Sequence, residues 1–514
     1  ENRSNGRIAE GTSLSMEAVG TPDGSVVYGG YFGGSGGSWY PYDMGLGDFD
    51  EDGELDLVTA NYSSRSVGVF LGDGGGRFGS GVAYGVGSWG NPIGVGVGDV
   101  NGDGHMDVVV AEWSSSNVDV LLGEGDGTFG MATSLGVGSN PRDAVVADLD
   151  GDGRAEIVVA NYSSSSVSVL RRKGDDSGYE RQDFGVGINP QGLAVGDVDG
   201  DGDLDIVTAN RGSDNISVLL NDGAGSFAGA VAYAAGDGPV DVGLGDMDGD
   251  GVLDAVVLDY DGRSVSVLKG KGNGTFGGAV VYGGLGNEPY HLALGDWSGD
   301  GRPDVAVAVY SGNELALYKN DGSGVLGGVL TYKASYNPIG VVSGDVNGDG
   351  LADVVTCNHT SSSGRYVTVW LGGVERRLVE DPPGMLWTGV GRGNLQNRED
   401  YDYWSFSGKA GDILSVAVEV PGSPGASQLF YDILRPDGTR LTYFYGNSYN
   451  GWGQSSPVSL PMDGTYSVAV SYNHDYWGEY RLRVTLARGG VQMESEDNNA
   501  ISQADAPVLE LAGG

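Results

Sequence analysis

Between residues 99 and 107 the chain places Asp99, Asn101, Asp103 and Asp107, four oxygen-bearing side chains within nine positions. Carboxylates held this close repel one another unless a positive charge sits among them. Oxygen ligands at positions 1, 3, 5 and 9, with glycine at 6 or at both 4 and 6 for a sharp turn, suit a hard cation. Ca2+, which accepts six to eight oxygens in flexible geometry, is the first choice. A backbone carbonyl at position 7 is expected to add a ligand. An EF-hand would carry Glu at position 12 between two helices. Here position 12 is Val110, and the flanking stretches "PIGVGVGD" and "DVVVAEW" read as strands. The plain alternative is an Asp/Gly-rich turn that holds no metal.

The pattern occurs seven times, at spacings of 49 to 51 residues. Its expected ligands are Asp48, Asp50, Asp52 and Asp56; Asp99, Asn101, Asp103 and Asp107; Asp148, Asp150, Asp152 and Glu156; Asp197, Asp199, Asp201 and Asp205; Asp246, Asp248, Asp250 and Asp254; Asp296, Ser298, Asp300 and Asp304; and Asp345, Asn347, Asp349 and Asp353. Asn, Ser and Glu replace Asp only where an oxygen is kept, which an ordinary turn does not require. One Ca2+ per loop, about seven in all, is the expected cofactor. These loops absorb more than a third of the 70 acidic residues.

The elements that must hold such loops follow from the same period. Each repeat reads as four short strands of five or six mostly apolar residues bounded by Gly, Asn, Asp and Pro, and no helical period appears. Four strands per unit and seven units fit a seven-bladed β-propeller; a solenoid is the alternative. The chain ends favour a closed ring. The last copy runs out after its third strand, "RYVTVWLGG", while "GSVVYGGYFGGSGGSWYP" (24–41) resembles a fourth strand with its outgoing turn, so the N-terminal strand is expected to complete the last blade. The fold class is therefore all-β, a seven-bladed propeller over 24–372 with a second, smaller β-sandwich domain. A linker at 373–384 leads to the sandwich at 385–490, where "DILSVAVEV", "GTYSVAVSY" and "GEYRLRVTLA" are clean strands.

Composition narrows the function classes. A net charge of −42 argues against nucleic acid and anionic membrane surfaces. No apolar run approaches the ~20 residues of a membrane span. One Cys cannot form an intrachain disulfide, and Cys357 aligns with small residues such as Ala60 and Ala160, so it reads as a buried filler. The four His are scattered and none shows His-Glu-x-x-His spacing. "GGSGG" (33–37) lacks the strand–turn–helix setting of a nucleophile elbow. No catalytic set stands out.

The "DVNGDG" loops between first and second strands, with "GDGTFG" or "GNGTFGGAVVY" turns before the fourth, resemble the FG-GAP or VCBS-type repeats of the integrin α-subunit head and of many secreted bacterial propellers. That resemblance implies a seven-bladed propeller with one Ca2+ per blade. The third blade departs from it at "KGDDSGYERQDFG". Further on, "NREDYDYWSFSGKAGDILSVAVE" resembles the bacterial pre-peptidase C-terminal domain, whose entry segment, of the form Glu-x-Glu-x-Asn, helps an Asp pair bind calcium. This implies an extra metal site at Asp400 and Asp402. The entry-like segment occurs at "ESEDNNAISQA" (494–504) and, more weakly, at the start. Residues 1–14 are thus expected to supply the entry strand beside Asp400 and Asp402, and the 491–514 tail to open a following unit or add to a neighbouring copy. An unrelated acidic linker is the alternative. The first residue is Glu1 rather than Met, which reads as a mature or excised piece of something longer.

Six residues past each ninth-position acid lie Tyr62, Trp113, Tyr162, Arg211, Tyr260, Tyr310 and His359, on the face opposite the acidic loops and beside Asn-Pro turns. Packing between blades is the plainer account of this array. With Asn61, Asn161, Asn210 and Asn358 beside it, the array could instead stack sugars or a partner loop. Taken together, the residues point to a non-enzymatic, extracellular or cell-surface structural and adhesive module, a fibre or tandem-array unit, whose partners are neighbouring copies, surface proteins or glycans. A lectin-like propeller is the rival, and an accessory region of a secreted hydrolase comes third.

Overall fold

A computed structural model describes residues 26–32, 39–87, 90–174, 177–334, 337–348, 350–360, 366–372, 379–380, 386–395, 401–419, 430–436, 439–445, 452–471 and 478–487. The chain falls into two compact units, 22–26 with 31–373, and the remainder.

Residues 26–372 hold seven four-stranded antiparallel sheets. Six are built in simple order, beginning with Pro41–Gly47, Asp56–Asn61, Ser66–Phe70 and Val82–Gly85. The seventh takes Pro338–Gly344, Asp353–Asn358 and Val367–Gly372, and then Val26–Phe32 as its outer strand. The N-terminal strand completes the last blade, as the sequence implied. First strands of successive sheets touch in a cycle that returns from Pro338–Gly344 to Pro41–Gly47, which makes the unit a closed propeller. Trp39 stacks on Tyr366 at 5.2 Å and shares a core with Phe70, Ile339, Val355 and Cys357 across that closure.

Each second strand is buried along its whole length, which explains its mostly apolar run, rich in Val and Ala. Each first strand opens with Pro, which has no N–H to give the ladder, and the register then slips before the third or fourth residue. This bulge leaves the second residue of the inner strand (Tyr42, Arg142, Gln191 and Tyr290 among them) outside the ladder. In the third blade Ser166–Arg172 and Tyr179–Gly185 pair over seven residues, so the divergent segment there forms a longer regular hairpin.

The smaller unit is a sandwich of two sheets. One runs Val379–Glu380, Leu386–Leu395, Gly478–Ala487, Ile413–Glu419 and Trp452–Gln454, with Val458–Ser459 on the side of Ile413–Glu419. The other runs Tyr401–Gly408, Gly464–Ser471, Phe430–Leu434 and Arg440–Tyr445. Alternate residues of both, such as Val416, Leu482 and Val484 against Ile433, Tyr466 and Val468, form its core.

Candidate metal centres

Every acidic loop joins an inner strand to the buried second strand and is wound by its own first residue. Asp99 accepts the N–H groups of Gly102 at 2.6 Å and Gly104 at 2.8 Å, and Asp197 does the same for Gly200 and Gly202. The two glycines take left-handed φ values, such as +77° and +93° at Gly102 and Gly104. In the first loop Glu51 occupies the earlier of these positions at φ +59°, a strained place for a side chain. Position 5 accepts the N–H of position 7, as Asp201 does from Asp203 at 3.0 Å.

Acids at positions 1, 3 and 9 converge in three loops: Asp48, Asp50 and Asp56; Asp148, Asp150 and Glu156; Asp197, Asp199 and Asp205. In the fifth loop Asp246, Asp248 and Asp250 converge. In each group one oxygen per residue lies within 4.8 Å of the others. The second, sixth and seventh loops carry Asn101, Ser298 and Asn347 at position 3, so they offer an amide or hydroxyl oxygen in place of that carboxylate. Asp349 lies outside the described residues. Buried oxygens with no protein partner remain at Asp50 Oδ1 and Asp248 Oδ1. A buried carboxylate oxygen without a donor is costly, and a divalent cation among these acids would supply what is missing. The donor set fits Ca2+.

The ninth acid does more than the sequence reading assigned it. Asp107, fully buried, accepts the N–H of Val100 through Oδ2 at 2.9 Å and that of Gly123, sixteen residues on, through Oδ1 at 2.8 Å. Asp56, Asp205 and Asp254 repeat both bonds. Each clamps the loop to the end of the third strand. Burial pushes Asp107, Asp205 and Asp304 up to about 6. A carboxylate that opens an unbroken buried strand was the available signal.

Loops are also tied across blades. The carbonyl at position 2 accepts a hydrogen bond from the turn of the next blade: Phe49 from the N–H of Gly127, Leu149 from Asn221 Nδ2, Val198 from Gly274, Met247 from Asn320 Nδ2, and Val346 from Gly76 of the first blade.

Two of the loops are contacted by a basic side chain from the end of their own blade's third strand. Arg171 Nε lies 2.9 Å from Asp150 and 3.3 Å from Glu156, and Lys269 Nζ contacts Asp248 and lies 3.2 Å from Asp250. Leu71, Leu122 and Leu220 occupy the matching place in other blades. Arg171→Leu is expected to tighten Ca2+ binding at the third loop by roughly three- to tenfold, since a half-exposed ion pair is worth little but competes directly. Calorimetric titration of both proteins measures it, and equal affinities would refute the competition.

At the opposite end, all seven rim residues (Tyr62, Trp113, Tyr162, Arg211, Tyr260, Tyr310 and His359) are half-buried, and each donates its backbone N–H to the residue preceding the inner-strand Pro. They pack on one another and on inner-strand aromatics: Trp113 on Tyr162 at 5.4 Å, Tyr260 on Tyr290 at 5.4 Å, Tyr310 on His359 at 6.0 Å. Arg211 stacks over Tyr260 at 4.4 Å. Blade-to-blade packing and partial exposure therefore coexist. The Asn-Pro turns are staples, with Asn91, Asn140, Asn189 and Asn337 each donating through Nδ2 to a rim carbonyl of the preceding blade. Asn61, Asn161, Asn210 and Asn358, which only the sugar-stacking alternative set beside a ligand, are fully buried, where they meet Ser and Thr hydroxyls and Asn215. Cys357 is fully buried and its thiol is pushed up by desolvation, consistent with a filler. Asp402 pairs with Val470 through the backbone, while its side chain and all of Asp400, together with residues 1–14 and 491–514, lie outside the described residues.

The third position of the inner strands reads Asp43, Gly94, Asp143, Gly192, Asp241, His291 and Gly340 around the ring. The sequence reading missed this ring, because its members lie about 50 residues apart outside any motif. Asp43, Asp143 and Asp241 each accept an N–H from the next blade, at Val95, Leu193 and Leu292. The glycines are obligatory: a Cβ on Gly192 would lie 2.6 Å from Asp241 Cα. His291 Nδ1 stands 3.8 Å from Asp43 and 3.7 Å from Asp241. Burial pushes Asp43 and Asp143 up to about 7 and His291 down to about 4. An acid whose folded value is raised binds protons more readily when native, so its stabilisation is full below the ordinary value of 3.8 and is lost progressively as pH rises to about 7. The melting temperature in chelator is therefore expected to fall between about pH 4 and 7, and less steeply in Asp143→Asn. A slope unchanged by that substitution would refute the assignment.

Six stretches of the chain, 48–110, 99–159, 148–208, 197–257, 253–307 and 296–356, match the model of the FG-GAP-like repeat. The chain belongs to the FG-GAP-like repeat family. No curated protein matches it. Among solved structures, this FG-GAP chain is similar to BBS1N in complex with ARL6DN (14% identity, 68% of this chain and 98% of that one, TM-score 0.48). It is also similar to an Agrocybe aegerita lectin that recognises non-reducing terminal N-acetylglucosamine (19%, 61% and 90%, 0.45), and to the periplasmic gluconolactonase PpgL of Pseudomonas aeruginosa (16%, 60% and 96%, 0.45). Among the described residues no helix is long and apolar enough to cross a membrane.

Proposed function

We propose that this FG-GAP propeller is a calcium-stabilised, non-enzymatic structural and adhesive module of a secreted or cell-surface protein, with one Ca2+ in each of seven blades and a pre-peptidase-type sandwich attached. The observation that carries the reading is the position-2 carbonyl bond, which ties a loop to the turn of the next blade in five of the seven loops. A cation that stiffens a loop then stiffens the ring, as an extended load-bearing module requires. Metal analysis of protein dialysed against millimolar calcium tests it, with several ions per chain expected and fewer than two refuting it. Adhesion is tested by calcium-dependent capture of the chain on surfaces coated with itself.

A second reading, glycan binding at the opposite face, draws on the seven half-exposed rim residues, six of which have aromatic faces that can stack on sugar rings. A glycan array run in calcium separates it from self-association.

A further inference from the structure

At the centre of the rim the bulged inner strands surround a pocket lined by Tyr42, Arg142, Asp143, Gln191, Tyr290 and His291, among others. Its wall carries two donors with no acceptor, Arg142 Nε and Gln191 Nε2, both buried. Gln191 is only 8% exposed. The rest of the wall is fixed: Arg142 donates from Nη2 to Gln191 Oε1 at 3.0 Å and from Nη1 to the Tyr42 hydroxyl at 3.5 Å, and its guanidinium lies 4.6 Å from the Trp113 ring. Among the described residues no carboxylate pairs with Arg142. Below stands Asp143, whose oxygens accept the N–H groups of Ala144 and Leu193 and keep acceptor capacity toward the pocket.

The chemistry of an occupant follows by elimination. A buried donor without a partner costs about 1–3 kcal/mol, so an apolar group would leave two such costs in place. A metal cation would face Arg142 and two nitrogen donors. An anion would face Asp143 with Asp43 and Asp241 behind it. A neutral group that both accepts and donates satisfies the wall and the floor together; a water does so when no ligand is bound, and neighbouring hydroxyls on a ring that can lie against tyrosines have the same character and can displace it. We infer that the axial pocket binds the tip of a neutral saccharide, with one hydroxyl oxygen accepting from Arg142 Nε and Gln191 Nε2 and one hydroxyl donating to Asp143. This rests on the glycan-binding reading of the rim and goes beyond it in placing the site on the axis.

Saturation-transfer NMR on the whole chain in millimolar calcium, with methyl glucoside, methyl galactoside, methyl mannoside and N-acetylglucosamine as probes, tests the inference. Transfer to at least one sugar is expected, with a change in Trp113 emission and a loss of at least about tenfold in affinity in Gln191→Leu, which leaves the donor's partner unpaired. Arg142→Lys, which keeps the charge but loses Nε, is expected to weaken the same sugar, and covers the case in which Gln191→Leu does not fold. Transfer to none of the four sugars overturns the pocket. Binding undiminished in a folded variant overturns it too, while leaving the wider rim as a glycan surface.

Discussion

Excess EDTA is expected to lower the melting temperature of the propeller steeply. For Kd values of ~10⁻⁴ to 10⁻³ M, typical of extracellular calcium modules, millimolar calcium contributes roughly 0.4 to 1.4 kcal/mol per loop. Seven loops sum to about 3 to 10 kcal/mol, comparable with the net stability of a whole domain. Arg171 and Lys269 move the expectation toward the lower end, because the third and fifth loops already hold part of a counter-charge. Trp39 and Trp297, both fully buried in the propeller, report the transition by fluorescence. A melt that does not move when calcium is removed would exclude the metal from every loop.

Deleting residues 1–32 is expected to have the next largest effect. It removes Val26–Phe32 and leaves Val367–Gly372 as the open edge of the seventh sheet. An unpaired apolar edge recruits other chains, so the truncated protein should aggregate and melt lower than one lacking residues 1–20 only. Light scattering and calorimetry on the pair read the outcome. A monomeric truncation with an undiminished melting temperature would show that the strand adds nothing to the ring.

The propeller was legible in the sequence because its signals are local and repeated. Asp99 to Asp107 lie within one turn, the buried Val108–Ala111 run follows at once, and seven copies remove ambiguity. The closing strand was legible from a missing fourth strand at one end and a surplus one at the other. What escaped lies between blades. Nothing in "NP" announces that Asn140 reaches the Trp113 carbonyl, and nothing in "PRD" or "PVD" announces that Asp143 and Asp241 share an axis. Those partners are about 27 and 100 residues apart, and only the closed ring brings them together. The burial of Asn61 and Asn161 was hard to read for a related reason: polar residues at a strand end look exposed until the neighbouring hydroxyls that satisfy them are in place.

The ring of Asp and Gly along the axis has a parity. Each Asp hands a carboxylate to the following blade, whose own third residue is not an acid, so donors and receivers should alternate. Seven is odd, and strict alternation cannot close. The misfit falls at His291 and Gly340, two receivers in succession, and the second of them belongs to the blade assembled from both ends of the chain. The seventh blade therefore neither gives nor receives a carboxylate clasp, and it is also the only one without a continuous chain through its four strands. Opening of the ring, whether by heat, load or exchange with another copy, should begin at this one seam.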